Sequence, residues 1–263
     1  TQVGSGTWLP EIGRTVGEHG LRVVGANAYL GIDAILPALD EAPHLVITGR
    51  VADPSLFLAP LVHHFGWARD DWARLGAGTA VGHLLECSMQ VTGGYFADPP
   101  HKLVPHIAHL GFPLAEVAAD GSAVITKLDG TGGLVSELTV KEQLMYEVHD
   151  PAAYLTPDVT ADFSTAHIAQ AGADRVTVRG VGGRERPRQL KAIVGFDGGF
   201  LAEGEISYAG PGAATRAQLA GEIVRERMAT VHGNTDTLRL DLIGLNALHG
   251  TAMTGLPAWE SQA

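Results

Sequence analysis

A chain of 263 residues that is 45% hydrophobic can bury one large core or two modest ones, and it is too apolar to be disordered. Its formal net charge of −11 argues against non-specific nucleic-acid binding and against anionic membrane surfaces, although a local basic or amide-lined pocket overrides that field for a small anion. A single cysteine, Cys87, excludes an internal disulfide framework and fits a reducing cytoplasm; no apolar run reaches the roughly 18 residues that span a bilayer, and the opening TQVGSGTWLPEIG is unlike a signal peptide.

In chain order, Leu21–Val24 reads as a short buried strand and Gly31–Leu39 as a helix limited by Pro37. His44–Thr48 (HLVIT) reads as a second buried strand, so the spacing predicts a βαβ unit with parallel strands. A helix follows, with Asp53 as its cap, Pro54 at its first position and Gly66 at its end. Asp71–Leu75 and Thr79–Gln90 read as helical, interrupted by Gly76 and Gly78. Leu114–Val117 and Ala123–Lys127 flank Ala-Asp-Gly-Ser as a hairpin. Thr139 and Glu142 suggest a capping box before a helix over Val140–His149, stopped at Asp150-Pro151.

Tyr154–Thr165 reads as ordered loop and as the domain boundary. Beyond it, Arg175–Arg179, Lys191–Phe196 and Phe200–Ser207 alternate as strands, with Asp197-Gly198-Gly199 as a hairpin turn. Ala213–Ala229 is an amphipathic helix with Leu219, Ile223, Val224 and Met228 on its apolar face, and Thr237–Ile243 a further strand. The expected architecture is a parallel-sheet α/β domain over residues 1–160, incomplete at its N-terminus, followed by a smaller α+β domain over residues 161–263 with a β-meander and an amphipathic helix.

Polar, glycine and aromatic residues crowd between Gly82 and Asp158. His83, Glu86, Cys87 and Gln90 share one helical segment, with His83 and Cys87 one turn apart. Two readings stand there: a thiolate or metal site, or a buried thiol beside a hydrogen-bonded imidazole. No CxxC or HExxH spacing supports a metal. Gly93 and Gly94 with Tyr95 read either as a helix cap or as a backbone-lined ligand wall. Lys127, Thr131, Gly132 and Gly133, in KLDGTGG, read either as an anion loop or as a plain turn; the run is neither a Walker A nor a Rossmann fingerprint. Arg50 follows a predicted strand, where no cap or packing role calls for arginine, and is suited to clamp a carboxylate or phosphate. Tyr146 and Glu147 are general acid–base candidates if their helix faces a cleft, and otherwise a solvated face. No GxSxG elbow is present, which disfavours an α/β-hydrolase.

The blocks ANAYLG, ITGRVADPSLFLAPLVHHFGW, GHLLECSMQVTGGYFADP, GFPLAEV, ITKLDGTGG and TVKEQLMYEVHDPAAYLTPDVTADFS resemble the acyclic terpene utilisation A (AtuA) family, with a weaker continuation through FDGGFLAEGEISYAGPGA. The resemblance covers roughly residues 21–230, and its order along the chain makes it specific. Family members usually carry a further glycine-rich N-terminal segment that Thr1–Gly20 does not resemble, which implies a fragment or a truncated subunit. The resemblance implies catabolism of branched-chain or acyclic terpenoid acyl-CoA or related carboxylates, of hydro-lyase or carbon–carbon lyase type, in the cytoplasm. Under it His83, Glu86, Tyr146 and Glu147 are the catalytic candidates. Arg50, Asn27, Gly93, Gly94, Tyr95, Lys127, Thr131, Gly132 and Gly133 are the substrate-binding candidates. No metal and no cofactor are assigned, acyl-CoA standing as substrate. The expected partners are a small molecule, a homo-oligomer and a companion subunit, with neither nucleic acid nor membrane. The alternative reading is a non-catalytic ligand-binding or assembly subunit of such a system.

Overall fold

The computed structural model describes residues 3–233 and 238–247. In chain order they form β1 (Trp8–Leu9), β2 (Arg14–Thr15), α1 (Val16–His19), β3 (Val23–Ala28), α2 (Leu36–Leu39), α3 (Asp53–Phe65), α4 (Trp72–Glu86), β4 (Pro113–Val117), β5 (Ala123–Lys127), α5 (Glu137–Met145), β6 (Tyr154–Leu155), β7 (Thr160–Asp162), β8 (His167–Gly172), β9 (Arg175–Arg179), β10 (Gly182–Arg184), β11 (Ala192–Phe196) and α6 (Ala213–Thr230). Two compact units result, residues 1–198 and 199–263. The pairing of β5 with β9 crosses residue 160, where sequence placed a boundary.

Every sheet among the described residues is antiparallel: β4-β5-β9-β8, β10-β7-β6, β11-β3 and β1-β2. This corrects the expected parallel sheet. Residues 44–48 form no strand, and the anticipated βαβ unit survives only as a parallel bridge between Leu30 and Val51. Leu45 and Ile47, chosen as buried, are 75% and 87% exposed. β3 instead takes β11 as its partner, 166 residues on in the Asn27–Ile193 register, so the turn at Asp197-Gly198-Gly199 does not join two strands. The Arg22–Asp197 ion pair at 2.8 Å closes that ribbon. Residues 200–207 and 238–243 form no strand, and Thr237 lies outside the described residues.

The helices follow from their sequences with shifted ends. Ala52, not Asp53, caps α3; Asp53 is the first helical residue, Pro54 completes the entry, and Gly66 ends the helix in the left-handed region at φ +64°. α4 runs unbroken through Gly76 and Gly78, started by Asp71, whose side chain accepts from the Arg74 amide. α5 starts at Ser136, which forms the capping box with Thr139, and stops at Tyr146 rather than at His149.

α4 is the central element, packed against α3, β7 and β10 and buried over most of its length. Its glycines make that possible. A Cβ on Gly76 would lie 2.2 Å from the Gly182 carbonyl oxygen, and one on Gly82 would lie 2.5 Å from the Pro54 oxygen. Gly78 faces Leu58 and Trp67 in the same way. Around this contact lie Leu58, Leu75, Leu84, Ile125, Val140, Val159 and Val176, all buried to 1% or less.

A second tie joins α3 to the turn before β7. Asp158, 4% exposed, accepts the Ile32 amide at 2.8 Å and the Ser55 hydroxyl at 2.5 Å. Burial pushes its carboxyl above the ordinary carboxylate range, against those two hydrogen bonds. Gly31 packs onto it so closely that a Cβ would lie 2.0 Å from its Oδ1.

Two outcomes follow from this packing. Gly76→Ala should destabilise the chain by roughly 1–2 kcal/mol, since a clash with backbone belongs to the upper part, about 2–3, of the usual overpacking cost and alanine's helix propensity returns about 1; chemical denaturation checks it, and an unchanged midpoint would mean that β10 yields. For Asp158 the raised folded-state pKa means that its contribution is full below the unfolded carboxyl pKa and is lost as pH rises through the folded value. Asp158→Asn cannot ionise, so its stability deficit against the parent should shrink from pH 4 to pH 7, read by urea melts at both; a deficit that grows would overturn the assignment.

Candidate functional site

α4 carries one polar stripe through an otherwise apolar environment. Thr79, His83, Glu86 and then Gln90 in the following turn recur at a spacing that places them on one helical face. From α5, Gln143 meets this stripe, its Nε2 donating to the His83 carbonyl at 2.9 Å. Five atoms here are buried without a hydrogen-bond partner among the described residues: Thr79 Oγ1, His83 Nε2, Glu86 Oε2, Gln90 Nε2 and Gln143 Oε1. An unpaired buried polar atom costs roughly 1–3 kcal/mol, so folding alone does not favour such a grouping.

His83 is the centre of the group. It is 1% exposed, and its ring packs against Tyr154 and Phe163 at centroid distances of 5.0 and 5.6 Å. Nδ1 lies 3.0 Å from Glu86 Oε1 and 3.5 Å from the Tyr154 hydroxyl. An ionised carboxylate only accepts, so a neutral His83 carries its proton on Nδ1 and leaves the Nε2 lone pair uncommitted. That is the arrangement of a base oriented by a carboxylate.

The surroundings are anionic. Burial pushes the Tyr154 phenol well above its ordinary range, reinforced by the charges of Glu86 and Asp53, so Tyr154 remains a donor. Burial also raises the Cys87 thiol, with Glu86 and Glu147 adding to it and a Gln143 hydrogen bond opposing; this is the environment of a protonated thiol, not of a thiolate nucleophile. Glu147 and then Tyr95 raise the phenol of Tyr146, whose ring lies 5.8 Å from that of Tyr95. Glu147 sits at φ +56°, a left-handed conformation that costs a non-glycine residue roughly 1–2 kcal/mol.

His83, Glu86, Tyr146, Glu147 and Tyr95 are therefore brought into one neighbourhood around Cys87, His83 buried, Glu86 half-buried and Glu147 and Tyr95 exposed. The other sequence candidates go elsewhere. Asn27 is exposed on β3, opposite Ile193. The Arg50 guanidinium stacks over Tyr29 at 5.1 Å. Lys127 is buried, with Nζ donating to the Thr131 carbonyl at 2.9 Å and 3.2 Å from Asp174. The amides of Gly93, Gly94, Gly132 and Gly133 donate to Gln90, Met89, His109 and Pro105, and that of Thr131 to Leu128, so both glycine turns spend their N–H groups on the chain itself. No group of three or more His, Cys, Asp or Glu side chains suited to a metal ion occurs among the described residues.

Sequence reasoning missed Tyr154, Thr79 and Gln143 as members of the site. Thr79 was signalled by the four-three-four spacing of polar residues in an apolar helix. Tyr154 reaches His83 from 71 residues away and left no local sign.

The sequence profile of the acyclic terpene utilisation family protein AtuA matches residues 8–258, extending the resemblance beyond both ends of residues 21–230. No curated protein and no solved structure matches the chain. The profile spans nearly the whole sequence and every residue of the His83 neighbourhood, and the chain belongs to the acyclic terpene utilisation (AtuA) family.

Proposed function

We propose that this chain is a proton-transfer enzyme of acyclic terpenoid catabolism, acting on a branched acyl thioester such as an acyl-CoA, or on a related carboxylate, as a hydro-lyase or carbon–carbon lyase. One observation carries the reading: the uncommitted Nε2 of a buried histidine whose other nitrogen faces a carboxylate. His83 withdraws a proton from the carbon next to the thioester carbonyl. Glu86 holds the ring and balances the charge it gains. The Tyr154 hydroxyl, kept protonated by its surroundings, donates to the oxygen on which negative charge develops. Glu147 and Tyr146 border the same neighbourhood and stand as proton relays towards solvent.

A second reading has its own observation. His83 is 1% exposed, so the stripe can equally hold α4, α5 and β6 in register within a non-catalytic ligand-binding or assembly subunit. The membrane plays no part in either reading through a helix, since no helix among the described residues is long and apolar enough to cross one.

Solvent deuterium exchange at the α-carbon of branched acyl-CoA thioesters, followed by mass spectrometry, separates the two. The enzyme reading expects exchange by the parent chain, a loss of about 10²–10⁴-fold in His83→Gln, and a smaller loss with a displaced pH profile in Glu86→Gln. Exchange that persists in a folded His83→Gln chain removes His83 as the base. A parent chain that binds thioesters and exchanges no proton favours the subunit reading.

A further inference from the structure

A cleft of about 620 Å³ opens beside the Asp158 tie, within residues 1–198. Its size falls in the range that holds a small organic ligand and exceeds what a lone ion needs. Leu30 and Leu190 supply apolar wall, and Pro157 and Pro187 stiffen its two sides. Arg186 and Arg188 flank Pro187 and face the same cleft.

The charge there runs against that of the whole chain. Asp33 is shared by two guanidiniums, Arg69 at 2.5 Å and Arg186 at 2.9 Å, so one carboxylate meets two cations. Asp158 lies at the edge of the cleft, and its raised pKa lessens its negative charge. Arg188 is exposed and has no hydrogen bond or ion pair with any described residue. Next to Leu30 and Leu190 in sequence, Tyr29 carries two further cations over its ring, Arg50 and Lys191, each at 5.1 Å. Arg186 and Arg188 thus line the opening itself, Arg69 reaches it through Asp33, and Arg50 and Lys191 stand over Tyr29, the sequence neighbour of Leu30.

We propose that this cleft binds a nucleotide-like phosphate ester, its phosphates on Arg186 and Arg188 and its base or apolar part against Leu30 and Leu190. Guanidinium forks match phosphate oxygens in pairs, and a dianion uses the surplus positive charge that a single carboxylate would leave unmatched. The two prolines hold the arginines and the apolar wall in place before binding, which lowers the ordering cost. The site does not rest on the His83 chemistry, and its occupancy is read without turnover.

The test is calorimetry of the full chain with ADP, with pyrophosphate and with adenosine. ADP should bind more tightly than either fragment, and Arg188→Gln should weaken it by roughly tenfold or more while leaving thermal stability unchanged, because Arg188 supports no contact of the fold. Arg227→Gln, on α6, is the control and should change nothing. Leu190→Glu should abolish the advantage of ADP over pyrophosphate. Failure of ADP to bind at millimolar concentration, or undiminished binding by Arg188→Gln, would overturn the proposal. Pyrophosphate binding as tightly as ADP would overturn the role of the apolar wall. An inactive chain that still binds ADP leaves this site standing and counts only against the proton-transfer reading.

Discussion

Close backbone approach along α4 is the constraint on which the rest of residues 1–198 depends. Glycine at 76, 78 and 82 removes the side chains that would hold β10 and α3 away. The helix then presents Leu75, Val81 and Leu84 to the core and has one face left over, the face of Thr79, His83 and Glu86. Without the glycines the neighbours would stand off, water would reach that face, and its polar atoms would be satisfied. Their isolation is thus a consequence of the same packing that stabilises the core. In a helix of this kind a glycine is disfavoured by roughly 1 kcal/mol against alanine, and here tertiary contact outweighs it.

Local features of the fold were legible and long-range ones were not. Gly66, the Ala123–Lys127 strand with its hairpin partner and the α6 helix are written in short-range chemistry: a left-handed cap, alternation around Asp-Gly, an apolar stripe. The parallel sheet was expected because Val23, Val24 and residues 45–47 read as buried runs, yet Val24, Leu45 and Ile47 are exposed. Buried strands and exposed extended segments of the same composition differ only in what lies opposite, and β3 finds its partner in β11, far along the chain. The capping of α5 moved for a smaller reason: Ser136 and Thr139 close a box one turn before the one that Thr139 and Glu142 suggested.

The site was legible to a similar depth. His83 and Glu86 share a helix, so spacing brought them together before any tertiary contact was known. Lys127 illustrates the opposite case. Lysine beside glycines suggested a loop that holds an anion, whereas burial turns the same residue inward onto the Thr131 carbonyl and Asp174, where it fixes the loop's own shape. Glycine-rich turns satisfy their amides internally when they are packed, as Gly132 is against the His106 and His109 carbonyls, and a packed turn has no N–H left for a ligand.

The two proposed sites differ in sign, and the difference is chemically sensible. Carboxylates and raised phenols surround His83, a setting that favours the positive charge a histidine gains on taking a proton and leaves the Tyr154 hydroxyl as the donor to the reacting part of a molecule. Arginines surround the cleft by Asp158, which suits an anionic handle remote from the chemistry. One short stretch serves both: Tyr154 enters the His83 neighbourhood and Asp158 lines the cleft, four residues on and no more than about 14 Å away by the reach of an extended chain. The N-terminus of α3 is likewise shared, with Asp53 acting on Tyr154 through its charge and Ser55 bonding to Asp158. Binding energy won from a remote anion can position a reacting group only if the two sites are rigidly connected. The Asp158 tie, buried and closed by Gly31, is such a connection.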